Sequence, residues 1–257
     1  KAWEVFDGVV KSWPDQVTML DNAKESDPVD NAMFWGFVNN NLPMVKKLEE
    51  RKHKFWFTDT PYFGRFDNNN LKPDNHYWRI CRNGIHAEYI KMCKSDRFDK
   101  FKIKIKAPDF KGSYVLVCPS SPSIHQYLGK PNWTADTVEQ IKRYTDRPIK
   151  IREKPRGRGT SGPSEAKVPL SEDLKDAWVV VTSCSIAAVE AQCMGVPVIC
   201  DEKSFAKEVG GQELADIENP YFVGCEDWLF SLAYQQFTPE EIANGKAVEI
   251  LMDKGLL

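Results

Sequence analysis

Residues 177–201 constrain the fold more than any other part of this chain, because their pattern is strand, turn, helix, turn, strand. Residues 178–181 form a short apolar and β-branched run, which is typical of a strand buried on both faces. Residues 186–194 favour a helix that ends at Gly195, and residues 196–200 predict a second buried strand. Two buried strands joined by a helix form a parallel pair, so we predict an α/β fold.

The turn between the first strand and the helix carries the small polar residues Thr182, Ser183, Cys184 and Ser185. Ser185 is predicted as the helix N-cap, because a serine hydroxyl can accept a hydrogen bond from the first turn. A helix N-terminus at the end of a parallel strand exposes N–H groups and a partial positive charge, which favours an anion such as phosphate. Glu190 follows about one helical turn later, where its carboxylate can accept hydrogen bonds from a ribose.

Strands and helices alternate along the rest of the chain as well. The sequence predicts strands at 32–38, 54–58, 77–81, 101–106, 114–118 and 149–152, and helices at 2–13, 42–51, 134–144, 227–236 and from Thr238 onward. Alternating apolar residues and lysines at 101–106 indicate a half-exposed edge strand. A boundary near 107–113 gives two Rossmann-like halves, residues 1–110 and 111–257, with parallel sheets facing a cleft and C-terminal helices closing the second half.

The composition narrows the class of protein. With 42% hydrophobic residues the chain can build a substantial core, and a net charge of −2 gives no global attraction to nucleic acid. No apolar run reaches about 18 residues, and the first residues lack the core of a signal peptide, so we expect no membrane span and a cytoplasmic protein. None of the seven cysteines lies in a C-x-x-C pair, which predicts reduced structural thiols and no metal site.

Three motifs of the second half carry a family likeness. They are strand-P-S-S at 114–121, strand-R-x-K at 149–154 and strand-x-S-x-S-x-x-x-x-E-A-x-x-x-G-V-P-V-I at 178–199. Together they resemble the nucleotide-sugar domain of GT-B glycosyltransferases, and the E-A-x-x-x-G-x-P-V-I element also occurs in sugar-nucleotide 2-epimerases. The resemblance implies a trimmed GT-B-like architecture, because the chain is short for that fold.

The first half has motifs of its own, T-D-T-P-Y-F-G-R at 58–65 and Y-W-R-I-C-R-N-G-I-H at 77–86, and a matching tail lies at 228–242. With them this half resembles the acceptor-side domain of small phage-type glycosyltransferases. We therefore interpret residues 1–110 as an acceptor-side domain and residues 111–257 as a nucleotide-sugar-binding domain.

The resemblance implies a nucleotide sugar as co-substrate, with a UDP-sugar favoured, and neither a cofactor nor a metal. Glu190 would hold the ribose, and Arg152 and Lys154 would neutralise the negative charge that develops on the leaving nucleotide diphosphate. The remaining implied donor contacts lie in two turns, at Ser120, Ser121, Ser183, Cys184 and Ser185. The alternative is that these turns only pack an ordinary α/β unit and that the two basic side chains are solvated.

The first half supplies the candidates for acceptor chemistry. Asp59 ends a buried strand just before a turn, and an inverting transfer needs a base that takes the proton of the acceptor hydroxyl. His86 follows an Asn-Gly turn, and an imidazole titrates close enough to neutrality to serve as a base. The alternatives are a turn-capping Asp59 and a structural His86. The candidates for lining the acceptor side are Tyr62, Arg65, Arg79 and Arg82.

The sequence thus predicts a glycosyltransferase that moves a sugar from a nucleotide sugar to an acceptor hydroxyl. A basic stretch favours a hydroxymethylated pyrimidine in phage-type DNA over a glycan by a small margin, although a solvated face is the alternative. The stretch comprises Lys91, Lys94, Arg97, Lys100, Lys102, Lys104 and Lys106. The alternatives for the whole chain are a sugar-nucleotide epimerase, a glycan-directed glycosyltransferase and a non-catalytic module that binds a nucleotide or nucleic acid.

We interpret His53, His76 and His125 as surface or loop residues, with His125 the best placed to face the cleft.

Overall fold

The computed structural model describes residues 2–14, 31–38, 41–64, 77–153 and 168–257. The chain divides into two compact units, of which unit 1 comprises Lys1–Lys102 and Asp227–Leu257 and unit 2 comprises Ile103–Glu226. In chain order the elements are α1 (Ala2–Ser12), β1 (Ala32–Trp35), α2 (Asn41–Glu50), β2 (Phe55–Asp59), β3 (Trp78–Arg82), α3 (Asp96–Asp99), β4 (Tyr114–Val117), α4 (Pro122–Tyr127), α5 (Trp133–Ile141), β5 (Ile149–Ile151), α6 (Leu170–Leu174), β6 (Ala177–Thr182), α7 (Ala187–Cys193), β7 (Val198–Cys200), α8 (Glu226–Ala233), β8 (Gln236–Phe237), α9 (Pro239–Ala243) and α10 (Lys246–Asp253).

Unit 2 is built on a four-stranded sheet, called sheet B, in the order β5-β4-β6-β7 with every pair parallel. The central strands β4 and β6 are largely buried apolar runs, and residues of α5 pack with them in one core. Helix α7 connects β6 to β7, and the chain turns after it at Gly195 with a φ of +75°. A side chain at Gly195 would clash with the carbonyl oxygen of Ala107, so the predicted glycine turn is confirmed. The predicted α/β class is confirmed as well.

Unit 1 contains a second four-stranded sheet, called sheet A, in the order β1-β2-β3-β8. Strands β1 and β2 run parallel and are connected through α2, whereas β2 and β3, and β3 and β8, are antiparallel. The sheet is therefore mixed, and not parallel as we predicted for this half. The prediction assumed that a crossover helix follows each strand, but antiparallel neighbours need no such helix.

The C-terminal helices belong to unit 1, whereas we predicted that they close the second half. Strand β8 pairs with β3 through Trp78 and Phe237, and Ile242 and Leu251 join the same hydrophobic core. Helix α1 packs against α9 at Gly8, where a Cβ would come within 3.0 Å of Cγ2 of Ile242. The amphipathic pattern of a helix identifies its apolar face but not the core that buries it, so the sequence could not assign these helices.

Two further element predictions differ from the structure. The predicted edge strand at 101–106 is not part of a sheet; Lys102 has a φ of +53°, and the chain passes here from unit 1 to unit 2. The helix predicted at 227–236 ends at Ala233, and Gln236, the last residue of the predicted range, belongs to β8. The capping box of the next helix is present, since the Thr238 hydroxyl accepts from the Glu241 N–H at 3.1 Å and the Glu241 carboxylate accepts from the Thr238 N–H at 3.0 Å. Across the described ranges, no helix has both the length and the apolar character needed to cross a bilayer.

Candidate functional site

The carboxyl edge of sheet B is where the candidate donor residues meet. The chain leaves β4 towards β5 on one side and then returns to β6 on the other side. Ligands of open α/β sheets bind at such a switch point, outside the carboxyl ends of the strands. Ser120 and Ser121 follow β4, while Ser183, Cys184 and Ser185 follow β6. The topology thus places both predicted turns at this switch point.

A network of hydroxyl groups joins the two turns. Ser183 Oγ lies 2.8 Å from Ser120 Oγ, which accepts a hydrogen bond from the N–H of Cys184 at 3.1 Å. Thr182 Oγ1 accepts from the N–H of Ser185 at 3.1 Å and donates to the carbonyl group just after β4 at 2.7 Å. The Ser185 N–H, which we predicted to face a phosphate, is therefore satisfied by a hydroxyl group of the protein itself, and so is the neighbouring N–H of Cys184.

The side chains of these turns differ in their access to solvent. Ser183 is fully buried at 0% exposure, and Ser120 and Cys184 are buried too. Ser121 and Ser185 are partly exposed, and Glu190 in α7 is exposed. Of the candidates at this edge, Ser121, Ser185 and Glu190 are therefore the ones that solvent can reach, while the buried side chains hold the turns in place.

Helix α7 begins later than predicted. Its first residue is Ala187, and Ile186 occupies the N-cap position that we assigned to Ser185. The Ser185 hydroxyl still accepts a hydrogen bond from the Ala187 N–H at 3.3 Å. Ser185 thus binds the first turn of the helix without being its cap, a shift within the usual uncertainty of helix ends.

His125 is a member of this network that was not predicted. We interpreted it as a surface or loop residue, but it is buried in α4, and its Nε2 lies 3.0 Å from Ser183 Oγ. Its ring stacks on that of Trp133, with centroids 5.3 Å apart and planes at 29°. Burial lowers the pKa of His125, and the Asp201 carboxylate opposes this shift. The available signal was Pro122, because a proline favours the first turn of a helix and this helix carries His125 inward.

Arg152 lies just after the carboxyl end of β5, as predicted, but its charge is already paired. Its guanidinium group binds the Asp173 carboxylate and donates to the Val168 carbonyl at 2.8 Å, and the side chain is only 10% exposed. Lys150 donates to the same carboxylate at 2.5 Å. Burial raises the pKa of Asp173, but hydrogen bonds from Lys150 and Arg152 outweigh burial, so the pKa is lowered. Lys154 lies outside the described residues.

Four of the first-half candidates form one cluster beside sheet A. Arg79 on β3 lies opposite Asp59 on β2, with Nη2 of the arginine 3.1 Å from Oδ2 of the aspartate. The arginine also donates to the Thr60 carbonyl at 2.6 Å, and Asp59 Oδ1 accepts from the Thr60 N–H at 2.7 Å. The Tyr62 hydroxyl lies 3.2 Å from Nδ1 of His86. Asp59 therefore also has the turn-capping contact that was its structural alternative.

The Tyr62 hydroxyl bears on which ring nitrogen of His86 carries the proton. Its oxygen accepts a hydrogen bond from the Ala87 N–H at 2.7 Å, so its proton points towards Nδ1 of His86 or Sγ of Cys81, the latter at 3.8 Å. Burial raises the pKa of Tyr62 well above its usual value, so the hydroxyl remains a proton donor. A histidine that accepts at Nδ1 carries its proton at Nε2. The Asp59 side chain is 34% exposed, whereas the Nε2 atom of His86 is buried, so Asp59 offers the more accessible basic atom of the two candidates.

The remaining basic candidates differ in how free they are to bind phosphate. Arg82 pairs with Glu88 at 3.1 Å and donates to a backbone carbonyl of the C-terminal segment. Arg97 in the basic stretch is buried and pairs with Glu241 at 2.8 Å, so its charge is not available to DNA. The lysines of that stretch are exposed. Arg65 lies outside the described residues.

The cysteines are structural, as predicted. All seven are buried, and none forms a disulfide bond. Burial raises the pKa of Cys118 to about 12 and that of Cys81 to about 11, so neither thiol ionises readily near neutral pH. Within the part of the chain that the structure describes, no cluster of three or more His, Cys, Asp or Glu side chains has an arrangement suited to a metal ion.

Comparison with known proteins adds evidence on the fold. No protein-family profile and no curated protein sequence matches the chain. The structure is similar to the β-Kdo 2,4-transferase of Thermosulfurimonas dismutans KpsC, with a TM-score of 0.50 and 11% identity over 95% of this chain and 93% of that chain. A second similar structure is the β-Kdo 2,7-transferase of the same KpsC, with a TM-score of 0.43 and 11% identity over 85% of each chain. At 11% identity, the first likeness shows a shared fold across nearly the whole chain and does not show a shared activity.

Proposed function

We propose that this chain is a glycosyltransferase that binds a nucleotide sugar at the carboxyl edge of sheet B. The observation that carries the proposal is the junction of two serine-containing turns at the switch point of a parallel sheet, within a fold shared with a Kdo transferase. The activity of that neighbour supports the class of reaction by fold-level analogy alone. The two candidate donors are a UDP-sugar, which the sequence resemblance favours, and an activated form of Kdo.

The donor contacts that we propose are the accessible groups of the edge. The hydroxyls of Ser121 and Ser185 would donate to phosphate oxygens, and the exposed Glu190 carboxylate would accept hydrogen bonds from the ribose hydroxyls. Ser183 and His125 would act as positioning residues, because they are buried behind the turns and hydrogen-bonded to each other.

The Glu190→Ala substitution tests the donor site. Loss of the hydrogen bonds to ribose should weaken UDP binding by about 1–3 kcal/mol, which is about fivefold to 150-fold in the dissociation constant. Titration calorimetry with UDP measures this change. The matched control is Glu139→Ala, which removes an exposed carboxylate from α5 of the same unit and should leave the affinity unchanged. Equal affinities in the two variants would exclude the ribose contact.

The Asp59→Asn substitution tests the base that we propose for acceptor deprotonation. Removing a general base should lower kcat by about 10²- to 10⁴-fold while UDP affinity stays constant. The asparagine keeps an oxygen that can accept from the Thr60 N–H, so the turn should survive, and circular dichroism checks the fold. Near-normal turnover in a folded variant would exclude Asp59 as the base.

A non-catalytic binding module is the second candidate function, and two observations favour it. The Arg152 charge is already compensated by Asp173, and the turn N–H groups of Cys184 and Ser185 are already hydrogen-bonded within the protein. Groups in this state stabilise a leaving phosphate less than free ones, because electrostatic catalysis depends on donors directed at the developing charge.

Mass spectrometry of the acceptor, together with proton NMR of the recovered donor, distinguishes these functions, because an epimer has the same mass as its parent sugar. The chain is incubated with UDP-hexoses and with activated Kdo, each in the presence of hydroxymethylated DNA, of oligosaccharides or of no acceptor. An acceptor that gains the mass of one sugar supports the transferase, and an epimerised sugar without acceptor supports the epimerase. Donor binding without any turnover supports the module. If DNA is the acceptor, its binding should also weaken steeply with added salt.

A further inference from the structure

A polar groove of about 460 Å³ lies in unit 2 and reaches the carboxyl edge of sheet B at the ends of β6 and β7. Its walls come from α5, from the carboxyl ends of β6 and β7 and from residues 212–215. None of the described donor candidates at the switch point is among its lining residues. The volume is within the range of small-molecule sites, about 300–1,000 Å³. The groove is therefore large enough for a ligand of its own.

The walls of the groove carry both hydrogen-bonding groups and an aromatic ring. Asp136 and Gln140 project from α5, and Gln212 and Glu213 lie on the opposite segment; all four are exposed. Tyr144 also lines the groove and is 47% exposed. Sugar hydroxyls both donate and accept hydrogen bonds, and amides and carboxylates match them, while the C–H face of a pyranose packs on an aromatic ring. This combination suits a carbohydrate.

The charge of the groove selects among carbohydrates. Lys130, the one cation among the described lining residues, is paired with Asp201 at 2.5 Å. Asp136 and Glu213 have no such partner among the described residues, so the lining has an excess of negative charge. The Oδ2 atom of Asp201 is buried and accepts no hydrogen bond within the described part of the chain. The groove therefore offers acceptors for hydroxyl or ammonium donors and repels phosphate and carboxylate groups.

We propose that this groove binds one sugar residue that is neutral or carries an amine, and that it excludes phosphorylated sugars and nucleotides. Asp136 and Glu213 accept hydrogen bonds from the hydroxyl or ammonium groups of the sugar, and Tyr144 packs against its ring. The groove meets the donor edge at Thr182, but its lining contains none of the proposed donor contacts Ser121, Ser185 and Glu190, so it is a second site beside that edge. It stands whether or not the chain transfers sugars.

Three probes with the same ring but different charge test the proposal on the full chain. Glucosamine, glucose and glucose 6-phosphate are titrated by saturation-transfer NMR in low salt at about pH 6, where the amine of glucosamine is protonated. Glucosamine should bind about threefold to tenfold more tightly than glucose, the range for one or two partly exposed ion pairs, and glucose 6-phosphate should bind most weakly. Added salt should abolish the advantage of glucosamine and leave glucose binding unchanged.

Substitutions assign the binding to the groove. Tyr144→Ala should weaken both glucose and glucosamine, whereas Tyr221→Ala, a control at an exposed tyrosine of unit 2 outside the groove, should weaken neither. The double substitution of Asp136→Asn with Glu213→Gln should remove the preference for glucosamine while glucose still binds. The proposal is overturned if no probe binds, if glucose 6-phosphate binds as tightly as glucosamine, or if the two tyrosine variants behave alike.

Discussion

The polar clusters of the two units differ in the interactions that compensate their buried polar groups. At the carboxyl edge of sheet B, Ser120, Ser183 and His125 are neutral groups that hydrogen-bond to one another out of contact with water. Beside sheet A, the cluster is organised by an ion pair, in which Arg79 is 3% exposed and Asp59 is 34% exposed. The side chains of the first cluster are buried, whereas the Asp59 carboxylate of the second cluster is partly exposed to solvent.

The difference follows from the cost of desolvation. A hydrogen-bonded hydroxyl can be buried at little cost, but burying both members of an ion pair costs several kcal/mol per ion. The Asp59 end of the Arg79–Asp59 pair is partly solvated, whereas the buried Asp173 is bound by two cations, Arg152 and the half-exposed Lys150. We therefore expect the edge of sheet B to be a rigid binding surface and the cluster beside sheet A to be the place for proton transfer. Each of the following substitutions tests one side of this contrast.

The largest effect is expected from Arg79→Met. The substitution removes the ion pair with Asp59 and the hydrogen bonds to the carbonyls of Thr60 and Ile85, and it leaves a partly buried carboxylate without its cation. Loss of one member of a fully buried pair costs about 3–5 kcal/mol of unfolding free energy, and because Asp59 is 34% exposed we expect a value at the lower end, about 3 kcal/mol. Urea unfolding followed by tryptophan fluorescence measures it. The control, Arg82→Met on the same strand, should cost less than about 1 kcal/mol; similar losses in both would show that burial does not distinguish the two arginines.

Ser183→Ala probes the neutral cluster and should lower the unfolding free energy by about 1–3 kcal/mol, because it removes the hydroxyl that pairs with Nε2 of the buried His125 and one of the two partners of Ser120 Oγ. Ser185→Ala, in the same turn but partly exposed, should cost less than about 0.5 kcal/mol. Combining Ser183→Ala with His125→Ala should cost less than the sum of the single variants, since both break one contact. Strict additivity would show that the histidine and the serine are not coupled.

Local patterns predicted the elements of sheet B well, and the reason is physical. Buried parallel strands must be apolar along their whole length, and the helix between β6 and β7 must end where Gly195 permits a positive φ. Both requirements are met by residues close together in the sequence. The local patterns therefore predicted that the turns at Ser120 and Ser183 lie at one edge of the sheet, although the contacts of these turns were unknown.

Tertiary partners could not be predicted in the same way. Arg152 was placed correctly after a strand, but the carboxylate that neutralises it, Asp173, lies 21 residues later in a helix with no pattern that marks it as a partner. His125 was misread because its short helix shows no periodicity from which an inward face could be inferred. A sequence shows where a polar group lies along an element, while its remaining hydrogen-bonding capacity depends on the whole fold.

The burial of His125 predicts a dependence of stability on pH. Because burial lowers its pKa in the folded chain, the unfolded chain binds a proton more readily. The folded state should therefore lose stability as the pH falls below the unfolded pKa of about 6.5, and the loss should be complete below the folded pKa. His125→Gln should flatten this part of the curve of unfolding free energy against pH. An identical curve in the variant would mean that His125 is protonated as easily in the folded chain as in the unfolded one.

The smallest effect is expected from Lys150→Met, and its comparison with Arg152→Met tests how firmly Asp173 holds Arg152. Both cations bind Asp173, but Lys150 is 50% exposed and Arg152 is 10% exposed. Removing the exposed partner should cost about 0–1 kcal/mol and less in high salt, whereas Arg152→Met should cost more because its charge pairs with Asp173 away from water. Urea unfolding of both variants gives the comparison. If Arg152→Met lowers the unfolding free energy as little as Lys150→Met does, then Lys150 alone can hold the Asp173 carboxylate. Arg152 is in that case free to turn from Asp173 to a phosphate at the edge of sheet B.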